Sequence, residues 1–157
     1  MRPRVIVAAT MLSAILLLSA APAQAALEGD DAVAPEIIAM LEEVPGGVII
    51  DSTHAAWPAL GMELAIGTIA LRSARSVGSC ATDRFCAYSA GSLGGNKLTF
   101  SVCSVNTIPS TFIAKSVANA RSSGHVQARN GSTTVTTVNA GSWANLAGTV
   151  NNLRCVL

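Results

Sequence analysis

The sequence predicts a mainly β protein: a small disulfide-stabilised Greek-key sandwich behind a short α+β pro-region. Three observations carry that prediction. Short β-branched or alternating runs, separated by Gly-rich turns, fill the second half of the chain. All four cysteines fall in that half. One helix signal near residue 35 is followed by short apolar runs of strand character. With 157 residues, charged residues at 12%, aromatics at 4% and a formal net charge of +1, the chain is neither a strongly basic nucleic-acid binder nor a highly charged disordered polymer.

Composition divides the chain into residues 1–25, 26–78 and 79–157. The first segment opens Met1-Arg2-Pro3-Arg4, continues as an apolar run from Val5 to Ala20 and closes Ala21-Pro22-Ala23-Gln24-Ala25. A basic start, an apolar middle and an Ala-x-Ala end form the layout of a cleaved export signal, with cutting expected before Ala26. The run falls short of the roughly 20 residues that span a bilayer. A secreted, extracellular protein is therefore expected.

Residues 26–78 carry eight carboxylates against Arg72 and Arg75, a net of −6, whereas residues 79–157 carry six cations against Asp83 alone, a net of +5. Such a block change predicts two units with different jobs. In the acidic unit, Pro35 suits a first helical position and Ile37, Ile38, Leu41 and Val44 recur at helical spacing, up to the stop at Pro45-Gly46-Gly47. Val48-Ile49-Ile50 and Met62 to Ile66 read as strands. So small a unit is marginal alone. It is expected to act either as a pro-segment or as an extension kept in the mature protein. Leu71-Arg72-Ser73-Ala74-Arg75-Ser76 is a small-residue linker open to proteolysis.

The last segment is near the lower size limit for a self-supporting core. Four cysteines in an exported chain predict two disulfides, with three pairings open. Cys80 and Cys86 can close a tight local loop, which leaves Cys103 to Cys155. A zinc site needs closely spaced ligand pairs, and Cys103 and Cys155 have no near partner. Phe85 to Ser89 and Lys97 to Ser101 read as strands around a Gly-rich turn. His125 to Arg129 and Thr133 to Val138 flank Asn130-Gly131, the strongest short hairpin signal because both turn positions need positive φ. Asn130-Gly131-Ser132 is also a glycosylation sequon, but the turn explains it. Ala140-Gly141-Ser142 marks a further turn.

Gly78-Ser79-Cys80, Phe85-Cys86-Ala87-Tyr88-Ser89 and Leu93-Gly94-Gly95 together resemble the opening of the secreted actinobacterial peptidase inhibitors of family thirty-six, whose type member is a Streptomyces metalloproteinase inhibitor. The Ser116-Val117-Ala118-Asn119 strand, the Asn130-Gly131 hairpin and a Trp57-containing strand extend the resemblance over roughly residues 35–157. The resemblance implies a βγ-crystallin-like fold, in which Tyr88, Leu93 and Gly95 take the motif positions and Leu93 replaces the second aromatic. A hairpin would fold over its own tyrosine, with Gly95 where a side chain would clash. It also implies a secreted peptidase as partner, with metallopeptidases foremost. The family's second small disulfide loop, which presents its reactive bond, has no counterpart here, so that site is not carried over. The crystallin calcium pattern is likewise broken: Asn151-Asn152 runs into Leu153-Arg154, and Asp30-Asp31 into Ala32-Val33. No metal and no cofactor are expected.

The only histidines, His54 and His125, lack the neighbours of a hydrolytic triad in sequence, and the last segment has no carboxylate pair, so no enzyme is expected. A rigid loop that holds an extended shape before binding is the physical requirement for inhibition. Two loops qualify: Ala81 to Phe85, with Asp83, Arg84 and Phe85 inside the small cysteine loop, and Ser104 to Phe112, with Asn106, Ile108 and Pro109 beside Cys103. The alternative is a non-inhibitory, monomeric cationic module for an anionic cell-wall surface, which the +5 segment would suit. No nucleic-acid partner is expected.

Overall fold

The computed structural model describes residues 32–67 and 76–157. The expected export signal, Asp30-Asp31 and most of the arginine-bearing linker lie outside these residues. One helix, α1 (Pro35–Glu43), starts at Pro35 in its first turn and ends where Val44 turns extended ahead of Pro45. It buries Ile37 and Met40 completely and leaves Ile38 42% exposed. Met40 thus takes the core place that the spacing assigned to Ile38, because the buried stripe runs 37, 40, 41, 44 along one face.

Eleven strands follow: β1 (Val48–Asp51), β2 (His54–Trp57), β3 (Met62–Ala65), β4 (Phe85–Tyr88), β5 (Lys97–Phe100), β6 (Val105–Thr107), β7 (Ser116–Asn119), β8 (His125–Asn130), β9 (Thr133–Asn139), β10 (Ser142–Asn145) and β11 (Asn152–Val156). A short 3-10 turn at Pro58–Leu60 joins β2 to β3. They form two antiparallel sheets, one in the order β1-β2-β3-β5-β4-β7-β10 and the other in the order β6-β11-β8-β9. The protein is therefore mainly β, as the short runs and turns predict. A hairpin joins β8 to β9 as expected, but its turn is Gly131-Ser132, one residue later than Asn130-Gly131: Asn130 pairs with Thr133 at the end of β8, and only Gly131 takes positive φ, at 59°. β6 is a three-residue strand inside the stretch expected as loop from Ser104, and β10 and β11 lack strict alternation. Their strand character comes from the partners they pair with.

The change of charge at residue 78 marks no break in this architecture. β3 pairs with β5 in register from Met62↔Phe100 to Ala65↔Lys97. Residues 32–67 thus supply three of the seven strands of the larger sheet. Ile37, Met40, Ala55, Trp57, Met62 and Leu64 share one buried cluster with Phe85, Leu98 and Phe100, and with Val126, Val138 and Leu153 of the smaller sheet. Trp57 is 1% exposed, its indole N–H donates to Val44 O at 2.8 Å, and Gly47 is forced by close approach, since any Cβ there would press on the indole ring.

A second, smaller cluster covers the other face of the larger sheet. It contains Cys80, Cys86, Tyr88, Leu93, Ala118 and Ala120. The loop between β4 and β5 lies over Tyr88 and seats Leu93 beside it. Gly95 sits in that loop at φ 76°, and a Cβ there would overlap Ser89 Oγ. Two disulfides, Cys80–Cys86 and Cys103–Cys155, complete the frame. The second closes a separation of 52 residues and, by loop entropy, stabilises the fold by about 4 kcal/mol.

Since Trp57 belongs to the core of the whole molecule, Trp57→Ala is expected to cost about 3–5 kcal/mol. Urea denaturation followed by circular dichroism would show a single transition at lower midpoint. A loss under about 1 kcal/mol, or two separate transitions, would mean that the two charge blocks fold independently.

Candidate functional site

The two loops expected to make contact are both rigid, and they differ in what they expose. In the first, the Cys80–Cys86 bridge closes the loop with 5.8 Å between Cα atoms. Asp83 takes φ 63°, its N–H donates to Ala120 O at 3.0 Å, and Arg84 N–H donates to Ala81 O at 3.1 Å. The exposed tip is Ala81, Thr82 and Asp83, with Arg84 half-buried. Phe85 is fully buried and stacks on Phe100 at 5.5 Å between ring centroids. Its position in β4 turns the ring inward, so the large anchor suggested by the sequence is a core residue. The tip that remains offers no apolar side chain larger than alanine.

The second loop places its outward residues earlier than the sequence suggests. Ile108 and Phe112 are buried at 4% and 6% exposure, and Pro109 is buried with them, so these residues anchor the segment rather than display it. Asn106 is 8% exposed, and its Nδ2 donates to Val102 O at 3.0 Å and to Ser104 O at 3.1 Å. Cys155 N–H donates to the same Ser104 carbonyl at 2.9 Å, beside the Cys103–Cys155 bridge. At the loop's base Ser101 N–H donates to Gly61 O at 2.9 Å. Ser101 to Val105 is thus held by a disulfide and by one amide side chain that spans two of its carbonyls. Val102 and Val105 project from it, 50% and 58% exposed. Sequence reasoning missed both valines. The signal available was their symmetric placement around Cys103-Ser104.

Beside this loop lies a groove of about 500 Å³ whose lining includes Val44, Leu60, Met62, Phe100 and Val102. Glu43, at the end of α1, stands on its rim. Its carboxylate accepts Ser110 N–H at 2.5 Å and Thr111 N–H at 2.9 Å, across more than sixty residues of chain. Slight burial pushes the Glu43 pKa up, but these two N–H donors outweigh it and hold the group below its ordinary 4.5. One wall of the site therefore comes from the acidic segment and the other from the disulfide-bonded one.

Asp51, His54 and Tyr88 serve local structure. At the β1–β2 turn, Asp51 accepts Thr53 N–H at 2.7 Å and the Thr53 hydroxyl at 2.9 Å, and His54 Nδ1 lies 3.0 Å from its carboxylate. The Thr53 N–H first, then the His54 ring and the Thr53 hydroxyl, hold Asp51 at about 2. Thr53 Oγ1 also meets His54 at Nδ1, 3.0 Å away. A catalytic relay needs the acid on one ring nitrogen and the nucleophile on the other. Here both contacts fall on the same nitrogen. Burial raises the Tyr88 pKa, and its hydroxyl accepts from Ser79 Oγ at 3.2 Å. Among the described residues no three His, Cys, Asp or Glu side chains group as metal ligands, and no helix is long and apolar enough to cross a membrane.

Searches of protein-family models, of characterised proteins and of solved structures found no match to this chain.

The Glu43 clamp has a pH signature. A depressed folded pKa means that the carboxylate's contribution is fully present above 4.5 and is lost as pH falls through the lower folded value. Hydrogen exchange at the Ser110 and Thr111 amides is expected to be slow above that window and to speed up below it, beyond the intrinsic trend. Glu43→Gln is expected to flatten the difference. Unchanged protection in that variant would show that the turn holds itself.

Proposed function

We propose that the protein is a secreted peptidase inhibitor and that Ser101 to Val105 is its contact loop. One observation carries the proposal. An exposed apolar segment is fixed before any partner arrives, by the Cys103–Cys155 bridge and by the Asn106 amide that spans the Val102 and Ser104 carbonyls. A substrate-like segment held in this way loses little conformational entropy on binding and resists the motions that cleavage requires. Val102 and Val105 are the side chains available to a peptidase's specificity pockets. Both are β-branched and apolar, which favours enzymes with apolar pockets, such as metallopeptidases of the thermolysin type, over those that demand a basic residue. In this proposal Asn106 is a positioning residue, and Ile108 and Pro109 are the anchors behind the loop.

Further support comes from elsewhere in the chain. Two disulfides suit an oxidising, extracellular setting, in keeping with the expected export signal. The loop folded over Tyr88, with Leu93 beside it and Gly95 at positive φ, is in keeping with the crystallin-like relation that the family resemblance implies. A binding role without catalysis agrees with the single-nitrogen contacts of His54. The same proposal includes a monomeric inhibitor that needs no metal or cofactor.

Residual activity of a thermolysin-type metallopeptidase and of a subtilisin-type serine peptidase, titrated with the oxidised protein, tests this directly. Inhibition of one of them, lost on reduction, is expected. Val102→Asp and Val105→Asp should each weaken it at least about 30-fold, the scale of an interface hot spot. Arg84→Ala, in the other loop, should leave it unchanged. Asn106→Ala should weaken inhibition and turn the protein from inhibitor towards slow substrate. Absence of inhibition at micromolar protein with both disulfides intact would sink the proposal.

A further inference from the structure

The smaller sheet has one face in the core and one outside, and the outer face carries a one-sided charge pattern that the inhibitor loop does not use. Val126, Ala128, Leu153 and Cys155 point inward and are buried. By alternation, His125, Gln127 and Arg129 of β8, Asn152 and Arg154 of β11 and Thr137 of β9 share the outer face. The register places Arg154 opposite Gln127, Gln127 opposite Thr137, and Asn152 opposite Arg129. Arg129 and Arg154 are therefore diagonal neighbours, about 7–8 Å apart in such a pairing. No Asp or Glu follows Asp83 in the chain, so none of the four strands contributes a carboxylate side chain to this face. Among the described residues, the acids lie on the other sheet or its β1–β2 turn, on α1 and in the small disulfide loop.

Two polar atoms on this face are buried without a protein partner: Arg129 Nε, a donor, and Asn152 Oδ1, an acceptor. Asn152 is 9% exposed and its Nδ2 is already used, donating to Gly131 O at 3.0 Å and Asn151 Oδ1 at 2.9 Å. The two orphaned atoms belong to directly opposed residues. Both atoms are closed to solvent, so they belong to the support of this face and not to its contact surface.

We propose that this face binds an acidic polysaccharide. The guanidiniums of Arg129 and Arg154 would take the carboxylates, and Gln127 and Thr137 would take the hydroxyls. Charge complementarity selects an anionic partner. The polar side chains between the charges select a hydroxyl-bearing polymer rather than a plain polyanion. Nucleic acid fits poorly, because none of the four strands carries a Phe, Tyr or Trp for base stacking. This assignment does not depend on peptidase inhibition, although Val105 of the contact loop stands opposite Arg154 at the edge of the same face.

Calorimetric titration of the full oxidised chain with polygalacturonate, and with neutral dextran, polyglutamate and duplex DNA as comparators, tests the proposal. Saturable binding to polygalacturonate is expected, weakened by salt, with none to dextran and much weaker binding to polyglutamate and DNA. Arg129→Gln with Arg154→Gln should weaken it about tenfold or more. Because Arg129 also supports the Ser132 carbonyl at 2.7 Å, exposed Thr137→Asp provides a second variant that adds charge without removing a contact, and it should weaken binding too. Arg84→Gln with Arg121→Gln, off this face, should change affinity less than twofold beyond the salt effect. Equal binding to polyglutamate or DNA, equal loss in the off-face pair, or no binding to polygalacturonate would each overturn the assignment.

Discussion

Everything in this molecule hangs on the pairing of β3 with β5. That register sets Met62 against Phe100 and Leu64 against Leu98, and so joins the acidic segment to the disulfide-bonded one in a single sheet. The acidic segment, with one helix and three strands among the described residues, buries little by itself. Together the two segments bury Trp57, Ile37 and Met40 under the same core that takes Leu153 and Val126 from the smaller sheet. The pairing also runs past the strands. Gly61 O receives Ser101 N–H, which fixes the base of the Val102–Val105 loop. The candidate contact loop is thus an extension of the joint, and Glu43 grips the neighbouring turn from the same side.

Buried polar side chains do the aligning where strands alone cannot. Asn119 is fully buried, and its Nδ2 donates to Val138 O, one hydrogen bond from the larger sheet to the smaller. Its Oδ1 accepts Arg121 N–H at 3.2 Å and so turns the chain after β7. Ser116 Oγ donates to Ala90 O and accepts Leu93 N–H, which holds the loop over Tyr88. Asn106 plays the same part for the contact loop. Each such group would cost about 1–3 kcal/mol if left unpaired, so each specifies one arrangement of backbone against many.

Charge is distributed unevenly between the two sheets. Two of the described carboxylates brace turns: Asp51 closes the β1–β2 turn and Glu43 holds a distant loop. The cations of β8 and β11 face outward without carboxylates beside them. Such separation leaves the Arg129–Arg154 face free to attract anions, beside the exposed valines of the Ser101–Val105 loop.

The sequence by itself determined the class of the fold. Local signals suffice for that: Pro35 starts α1, Gly131 turns the β8–β9 hairpin, and four cysteines close two bridges. It named Asn106 and Cys103 as parts of a rigid loop. The tertiary structure alone decided which side chains that loop shows. Phe85, Ile108 and Pro109 are anchors by type, yet strand direction and core packing turn them inward, while Val102 and Val105, ordinary core residues by type, are left outside. Charge along the chain separated residues 26–78 from 79–157, but hydrogen bonding across β3 and β5 does not follow charge. Composition reports what a residue prefers. Its exposure depends on which distant strand it meets, and that is set by register.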